Sequence, residues 1–391
     1  MPELLSPFPS ASGETSRSGD RAPSGSALPS DRMFINLGPQ HPSTHGVLRV
    51  GLTAEGEFIV NAEPDVGYLH RGIEKLCEAR TYPQCLVLAD RLDYVSAMTN
   101  ELPFCLAAES LLGVEAPERA QDLRVVVCEL NRIASHLLFF GTYGIDLGAF
   151  TPFLHAFRER EMVLDLFEAL CGGRLTYNYI RIGGVMKDLP EGWADLCRRF
   201  LAHLRERLPE YDELLSFNPI FLDRTREVGI LDREAAVAWG MTGPNLRASG
   251  VDYDLRKAAP YCGYGKVAFE PAVGRRGSCW DRYHCRMREM AQSARIVEQA
   301  LGGLAAGPVM AKLPKVLKPP PGEAYAHVEA SRGELGVYMV SDGGVSPARV
   351  HVRAPSFLNL QALKGLLVGA RVADVVAILG SLDIVLGECD R

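Results

Sequence analysis

The sequence predicts an α+β fold, a long-helix core with small antiparallel sheets near both ends. Three observations predict it. Apolar residues recur at helical spacing through Leu123, Val126, Val127, Leu130, Ile133, Ala134 and Leu137, in a segment that Pro117 opens. Alternating runs at 47–53 and 57–62, joined around Glu55-Gly56, form a hairpin pattern near the start of the folded chain. A second alternating pair, 334–340 and 348–353, follows a proline-rich stretch at 312–322. Long helical segments flanked by hairpins, without regular strand–helix alternation, point to α+β rather than to a parallel sheet.

Taken in order, residues 1–30 hold eight Ser, five Pro and three Gly with almost no apolar content. Such a composition buries too little surface to fold, so a disordered and dispensable tail is predicted. It has no apolar h-region of a secretory signal, and Glu3, Glu14 and Asp20 disfavour a transit peptide. The folded unit is predicted over 31–391: a β-hairpin region at 33–63, a helical core at 65–310, and a C-terminal β-plus-helix region at 323–391. A first strand at 33–37 leads through the loop Gly38-Pro-Gln-His-Pro-Ser-Thr-His-Gly46 to the hairpin. Thr151-Pro152 reads as an N-cap with a first-turn proline, opening a helix to about Leu170. Further helices are predicted at 191–215, 281–303 and 372–379, and no internal repeat is found.

Composition narrows the function classes. With 391 residues and 47% hydrophobic content the chain can build a sizeable core in one or two domains. A net charge of −6 and a pI near 5.9 argue against nucleic-acid binding. No apolar run approaches the roughly 18 residues of a membrane span, so membrane association is expected to come through a partner. Ten cysteines are scattered without a C-x-x-C pair. They read as buried thiols of a reducing compartment, and no metal of the chain's own is expected.

Four segments could carry chemistry. In His41-Pro42-Ser43-Thr44-His45, Pro42 and the flanking glycines deny the two histidines a common helix face for zinc. Without metal, the imidazoles are either proton donors titrating near neutrality or turn residues bonded to local backbone. In residues 89–94, Asp90 and Tyr94 would share a helix face, where a carboxylate could orient a phenol donor; a salt-bridged face around Arg91 is the plainer reading. Asp146, between Gly144 and Gly148, would be costly to bury unpaired and would suit a histidine partner, or else cap a helix. Arg71, Glu74, Lys75 and Glu78 would form one helix face, ordinarily a solvated one.

The order and wording of the motifs add a resemblance. Gly-Pro-Gln-His-Pro-Ser-Thr-His-Gly-Val-Leu-Arg (38–49) is the most specific, followed by Gly-Tyr-Leu-His-Arg-Gly-Ile-Glu-Lys (67–75), Asp-Arg-Leu-Asp-Tyr (90–94) and Glu-Leu-Asn-Arg-Ile-Ala-Ser-His-Leu (129–137). Tyr-Ile-Arg-Ile-Gly-Gly-Val (179–185), Thr-Gly-Pro-Asn-Leu-Arg-Ala-Ser-Gly (242–250), Arg-Gly-Glu-Leu-Gly (332–336), Pro-Ser-Phe-Leu-Asn-Leu-Gln (355–361) and the end from Ser381 to Arg391 continue the pattern. Over all but residues 1–30 the chain resembles the large hydrophilic quinone-site subunits (the D, or 49 kDa, type) of proton-pumping NADH–quinone oxidoreductase, respiratory complex I.

The resemblance implies a fold similar to the nickel–iron hydrogenase large subunit and a peripheral position on the cytoplasmic face of a bacterial cell membrane, without a transmembrane segment. It implies a role in coupling NADH oxidation to proton translocation, with the active site incomplete in this chain alone. Implied partners are the small cluster-bearing B subunit, the C and I subunits, and the membrane-embedded H subunit. The quinone is the substrate, the chain binds no cofactor alone, and a terminal 4Fe-4S cluster lies on the adjacent subunit. Carried over residue by residue, His45 and Tyr94 would hydrogen-bond the quinone carbonyls, Asp146 would pair with His45, and Asp90 would lie close to the site. Arg71, Thr176 and Arg181 would lie near the partner's cluster. Hydrogenase chemistry itself is excluded: the C-terminal cysteine pair would fall at Val385 and Glu388, and cysteine pairs are equally absent around 71–80. A scaffold that keeps the fold without the site is a third reading, which the presence of His45, Tyr94 and Asp146 opposes. Many relatives place histidine where Thr176 stands, often Asp where Ser278 stands, and some have a longer linker near 310–320.

Overall fold

The computed structural model describes residues 32–41 and 46–391; the expected tail and His45 lie outside the described residues. Strands β1 (Arg32–Leu37), β2 (Arg49–Glu55) and β3 (Phe58–Asp65) form an antiparallel sheet in sequential order, with Leu37 opposite Val50 and Arg49 opposite Asp65. Its inner face buries Val50, Leu52, Ile59 and Ala62 against the C-terminal helices.

The helical core is built around α4 (Glu118–Asp146), after α1 (Ile73–Glu78), α2 (Tyr82–Ala89) and α3 (Ala97–Leu112). Pro117 caps α4, and the apolar spacing of 123–137 becomes a fully buried stripe. Helices α5 (Thr151–Cys171) and α7 (Cys279–Gly302) pack along it, and α6 (Trp193–Tyr211) packs beside them. Rings lock the assembly, with Phe140 stacked on Tyr211 at 4.6 Å and Tyr283 edge-on to Phe221 at 4.8 Å. Thr151 is the first residue of α5 and Phe150 its cap, one position earlier than predicted.

The second sheet runs β4 (Gly322–Ala330), β5 (Gly333–Ser341), β6 (Arg349–Arg353) in sequential antiparallel order. The predicted hairpin is β5–β6; β4 was hidden by the proline-rich segment just before it. Helix α8 (Val375–Leu382) follows and packs against α4 and α7. The α+β class is as predicted.

The interior is unusually ionic. Arg124, Arg132, Arg247, Arg256, Arg282, Arg286 and Arg332 are all buried. Burial would push the Glu129 carboxyl up, but Arg132 and Arg256 outweigh it and hold the group at about 2. Arg247 pairs with both Glu289 and Glu329, and Glu289 also accepts from His136 at 2.9 Å. Charges in the middle of α4 and α7 therefore tie the helices to the second sheet instead of facing water.

Candidate functional site

Helix α2 stops at Ala89, and residues 90–96 form turns before α3. The last turn tightens, with the Arg91 N–H on the Leu88 carbonyl and the Leu92 N–H on the Ala89 carbonyl, and beyond it the Asp93 carboxylate accepts the Val95 N–H at 3.0 Å, a local bond that competes with resumption of the helix. Asn100 then donates to the Asp93 carbonyl at 2.8 Å. The predicted Asp90–Tyr94 helix face is thus corrected, because the two residues do not share a helix. The turn carries Tyr94 to the wall of a cavity of about 290 Å³.

Asp146, the last residue of α4, lines the same cavity, together with Leu138, Phe139, Thr142 and Ile145 from that helix. Its carboxylate abuts Gly380 of α8, where an added Cβ would stand 3.0 Å from Oδ2. Arg332 and residues 383–385 complete the lining. Arg332 donates to Asp93 at 2.7 Å, to Ser135 at 2.9 Å and to Asp383 at 3.3 Å, so a buried cation is held at the wall by two carboxylates. Burial pushes the Tyr94 phenol up, with Asp93 adding to the shift and Arg332 and Arg71 opposing it. It is a neutral donor through the physiological range. Gly46, directly after His45 in the chain, lies against the Leu386 side chain, beside the cavity-lining Val385.

Arg71 does not belong to the helix face predicted for 71–78, because Gly72 caps α1 and starts it at Ile73. Its guanidinium donates to the Gly387 carbonyl at 2.7 Å, and its N–H to the Arg391 carbonyl at 2.9 Å. Asp390 accepts the N–H groups of Gly67 and Leu69 at 2.9 and 2.8 Å, so the segment 67–71 is stitched to the C-terminus. Glu74 is ion-paired with Arg349 and lies 3.2 Å from the His351 ring nitrogen, both on β6, so this face is not simply solvated.

Asp90 faces elsewhere. It accepts from Arg91 at 2.6 Å and from Asn178 at 3.2 Å, and Asn178 also donates to the buried Glu101. Glu101 receives the N–H groups of Tyr179 and Ile180 at 3.2 and 2.8 Å. Burial raises Asp90 to about 6 and Glu101 well above the carboxylate range, against the pull of Arg181 on both. Arg181 lines a separate cavity of about 240 Å³ with Pro83, Leu86 and Met310. Thr176 stands at the start of this segment with φ 47°. Of the predicted residues, Tyr94 and Asp146 meet on one cavity, while Asp90, Thr176 and Arg181 do not line it.

Sequence reasoning missed Arg332, Asp383 and Glu388. All three stand inside motifs already noted, yet the pairing of Arg332 with Asp383 spans 51 residues and no local pattern announces it. Glu388, fully buried and bonded to the Ser356 N–H at 2.9 Å, is pushed up to about 7 by burial and by Asp93. Eight of the ten cysteines are buried, and no group of three or more His, Cys, Asp or Glu is arranged for a metal among the described residues. No described helix is long and apolar enough to cross a membrane.

The sequence profile of the respiratory-chain NADH dehydrogenase, 49 Kd subunit, matches residues 146–320 and 314–391. The chain is 52% identical over 363 residues to the D subunit of NADH-quinone oxidoreductase from Desulforamulus reducens, covering 93% of this chain and 99% of that protein. It is also 52% identical to the D subunit from Geobacillus thermodenitrificans, covering 93% and 100%, and 52% identical to the D 2 subunit from Solibacter usitatus, covering 94% and 100%. A buried ionic core, a Tyr94–Asp146 cavity and near end-to-end likeness to these proteins coincide in one chain, which belongs to the family of the respiratory-chain NADH dehydrogenase 49 Kd subunit.

Proposed function

We propose that this chain helps form the quinone-reduction site of a proton-pumping NADH–quinone oxidoreductase, working with the B, C, I and H partner subunits at the cytoplasmic face of the cell membrane. The observation that carries the reading is the meeting of Tyr94 and Asp146 on one cavity, with the Arg332 cation in its wall. Its volume of about 290 Å³ suits a ring head group, with the tail of the quinone running into a partner. In the assembled complex a 4Fe-4S cluster on the adjacent subunit would supply the electrons.

Reduction of a quinone consumes two electrons and two protons and yields a quinol. Negative charge grows on the carbonyl oxygens before they are protonated, and donors aimed at those oxygens lower the barrier. Tyr94, a neutral phenol, donates to one oxygen; His45 donates to the other and is paired with Asp146. The Arg332 charge, already balanced by Asp93 and Asp383, stabilises the same developing charge without needing to be recruited from water. Loss of donated protons leaves Tyr94 and the His45–Asp146 pair more anionic, and that change of charge triggers proton translocation. Arg71, tied to the carbonyl of Gly387, bridges the quinone side to the partner's cluster, near Thr176 and Arg181.

The test is Tyr94→Phe and, separately, His45→Ala in the assembled complex. Each should lower quinone reduction by about 100-fold or more, the usual cost of a lost transition-state donor. NADH oxidation by an artificial acceptor such as ferricyanide should be unchanged. Parental quinone turnover in either variant removes that residue from the site.

A further inference from the structure

A second cleft, unrelated to the quinone reading, lies where α7 begins, with a volume of about 420 Å³. Four arginines line it, Arg226, Arg275, Arg276 and Arg288, all exposed, with His284 half-buried among them. The chain as a whole carries a net charge of −6, so this is a local reversal of sign. The one acid in the lining, Asp281, is already used. Its two oxygens accept the N–H groups of Arg275 and Arg276 at 3.3 Å and of Ser278 at 3.2 Å, and the Ser278 hydroxyl at 2.9 Å. That carboxylate shapes the turn that carries the two arginines and has little left to offer their side chains. Arg276 is matched by Glu227 at the surface, and Arg288 spends one donor on the Val273 carbonyl at 3.0 Å. Three forks therefore keep bidentate donors for an anion.

One wall is aromatic. The Trp280 and His284 rings stack at 4.4 Å with 15° between planes, and the indole N–H is anchored on the Ser216 carbonyl at 2.9 Å. Burial lowers the affinity of His284 for a proton, so it is chiefly a neutral ring and a hydrogen-bond group. A concave space of this size suits a small ligand better than the flat patch of a protein interface. Several guanidinium forks around one small volume call for several anionic oxygens at once, which phosphate groups supply and a single carboxylate does not. We propose that this cleft binds a small ligand bearing a diphosphate-type group, from either a soluble nucleotide or a phospholipid head group.

The assembled complex is treated with phenylglyoxal, and modification of each arginine is followed by peptide mass spectrometry. Inorganic pyrophosphate at about tenfold its Kd should slow modification of Arg226, Arg275 and Arg288 by about tenfold, by mass action. Arg198, exposed and paired with Asp195 at 2.7 Å on α6, should react at its usual rate. Arg275→Gln should remove most of the protection at Arg226 and Arg288. A nucleoside diphosphate that protects at lower concentration than pyrophosphate identifies the soluble source; vesicles carrying diacylglycerol pyrophosphate that protect better identify the lipid. Three results overturn the proposal: none of the three probes protects, chloride at equal ionic strength protects as well, or the arginines are unreactive before any ligand is added because a partner subunit covers them.

Discussion

The Tyr94 ring packs against the backbone of Gly387 so closely that a Cβ there would stand 3.0 Å from Cε1 and 2.5 Å from the Leu92 carbonyl oxygen. The Gly387 carbonyl is at the same time the acceptor for Arg71. One glycine thus joins Tyr94 to Arg71, which under the proposed function are the quinone-side tyrosine and the arginine facing the cluster. Gly387→Ala should displace Tyr94, and a displacement near 1 Å costs about 100-fold in a positioned reaction. Quinone reduction should fall by about that factor while ferricyanide reduction by NADH is kept. Gly302→Ala, at the open end of α7, is the control and should change neither rate. Equal activity in both variants would mean that the Tyr94 position is not set from this side.

Arg332 should be needed for folding as well as for the site. Its guanidinium is buried and balances Asp93 and Asp383. Arg332→Met leaves these carboxylates short of their shared cation, and breaking a buried pair in this way costs about 3–5 kcal/mol. Denaturant unfolding of the full-length chain reads that loss. Adding Asp93→Asn should return part of it by removing one uncompensated charge. A single variant within about 1 kcal/mol of the parent, inside the range of an exposed ion pair, would show that the network is dispensable.

Asp90 gives a pH dependence of known sign. Its carboxyl is raised from 3.8 to about 6, chiefly by burial. Between those values the folded chain holds a proton that the unfolded chain has released, so this group costs stability progressively as pH rises from about 4 to about 6. Above that window the cost is constant. Asp90→Asn should therefore stabilise the chain at pH 7 and flatten this part of the stability profile, by up to about 1.4 kcal/mol for each tenfold difference in proton affinity between the folded and unfolded chain. Unfolding measured at pH 4.5 and pH 7 decides it. Stability of the variant that falls below the parent at pH 7 would mean that the ionised group is favourably held by Arg91 and Asn178.

The helices and hairpins were legible because burial imposes a period on the sequence: the stripe from Leu123 to Leu137 announced α4, and the alternation around Val337 announced β5. Strand β4 was not, since prolines just before it mask its start and its partner across Ala330–Gly333 is read only once the turn is seen. The Asp90–Tyr94 face failed because the helix ends at Ala89 and the Asp93 carboxylate then holds the chain in a turn through the Val95 N–H. The ionic core was illegible for a deeper reason. Arg247 and Glu329 look like surface charges in sequence, and only packing over 82 residues makes them partners. At the cavity, Tyr94 and Asp146 were singled out from their local segments and given roles by the resemblance, whereas Arg332 and Asp383 required the fold.

Thr176 joins a backbone constraint to a redox consequence. A β-branched residue at φ 47° sits in the left-handed region, which costs about 1–3 kcal/mol and which histidine tolerates better. Under the proposed function this residue lies near the partner's cluster, at a position where the resemblance leads one to expect histidine. An imidazole there would take up a proton on reduction, because the added electron raises its pKa, and would make the midpoint potential depend on pH. Threonine has no such group, so this position adds no pH dependence and the parent potential should be low and nearly constant with pH. A low potential suits a low-potential quinone such as menaquinone. Thr176→His should raise the potential and introduce a slope approaching roughly 59 mV per pH unit, the limit for one proton per electron. Redox titration of the assembled complex at several pH values reads both quantities. A parent that already shows that slope would place the titrating group elsewhere, and Thr176→His would then change little.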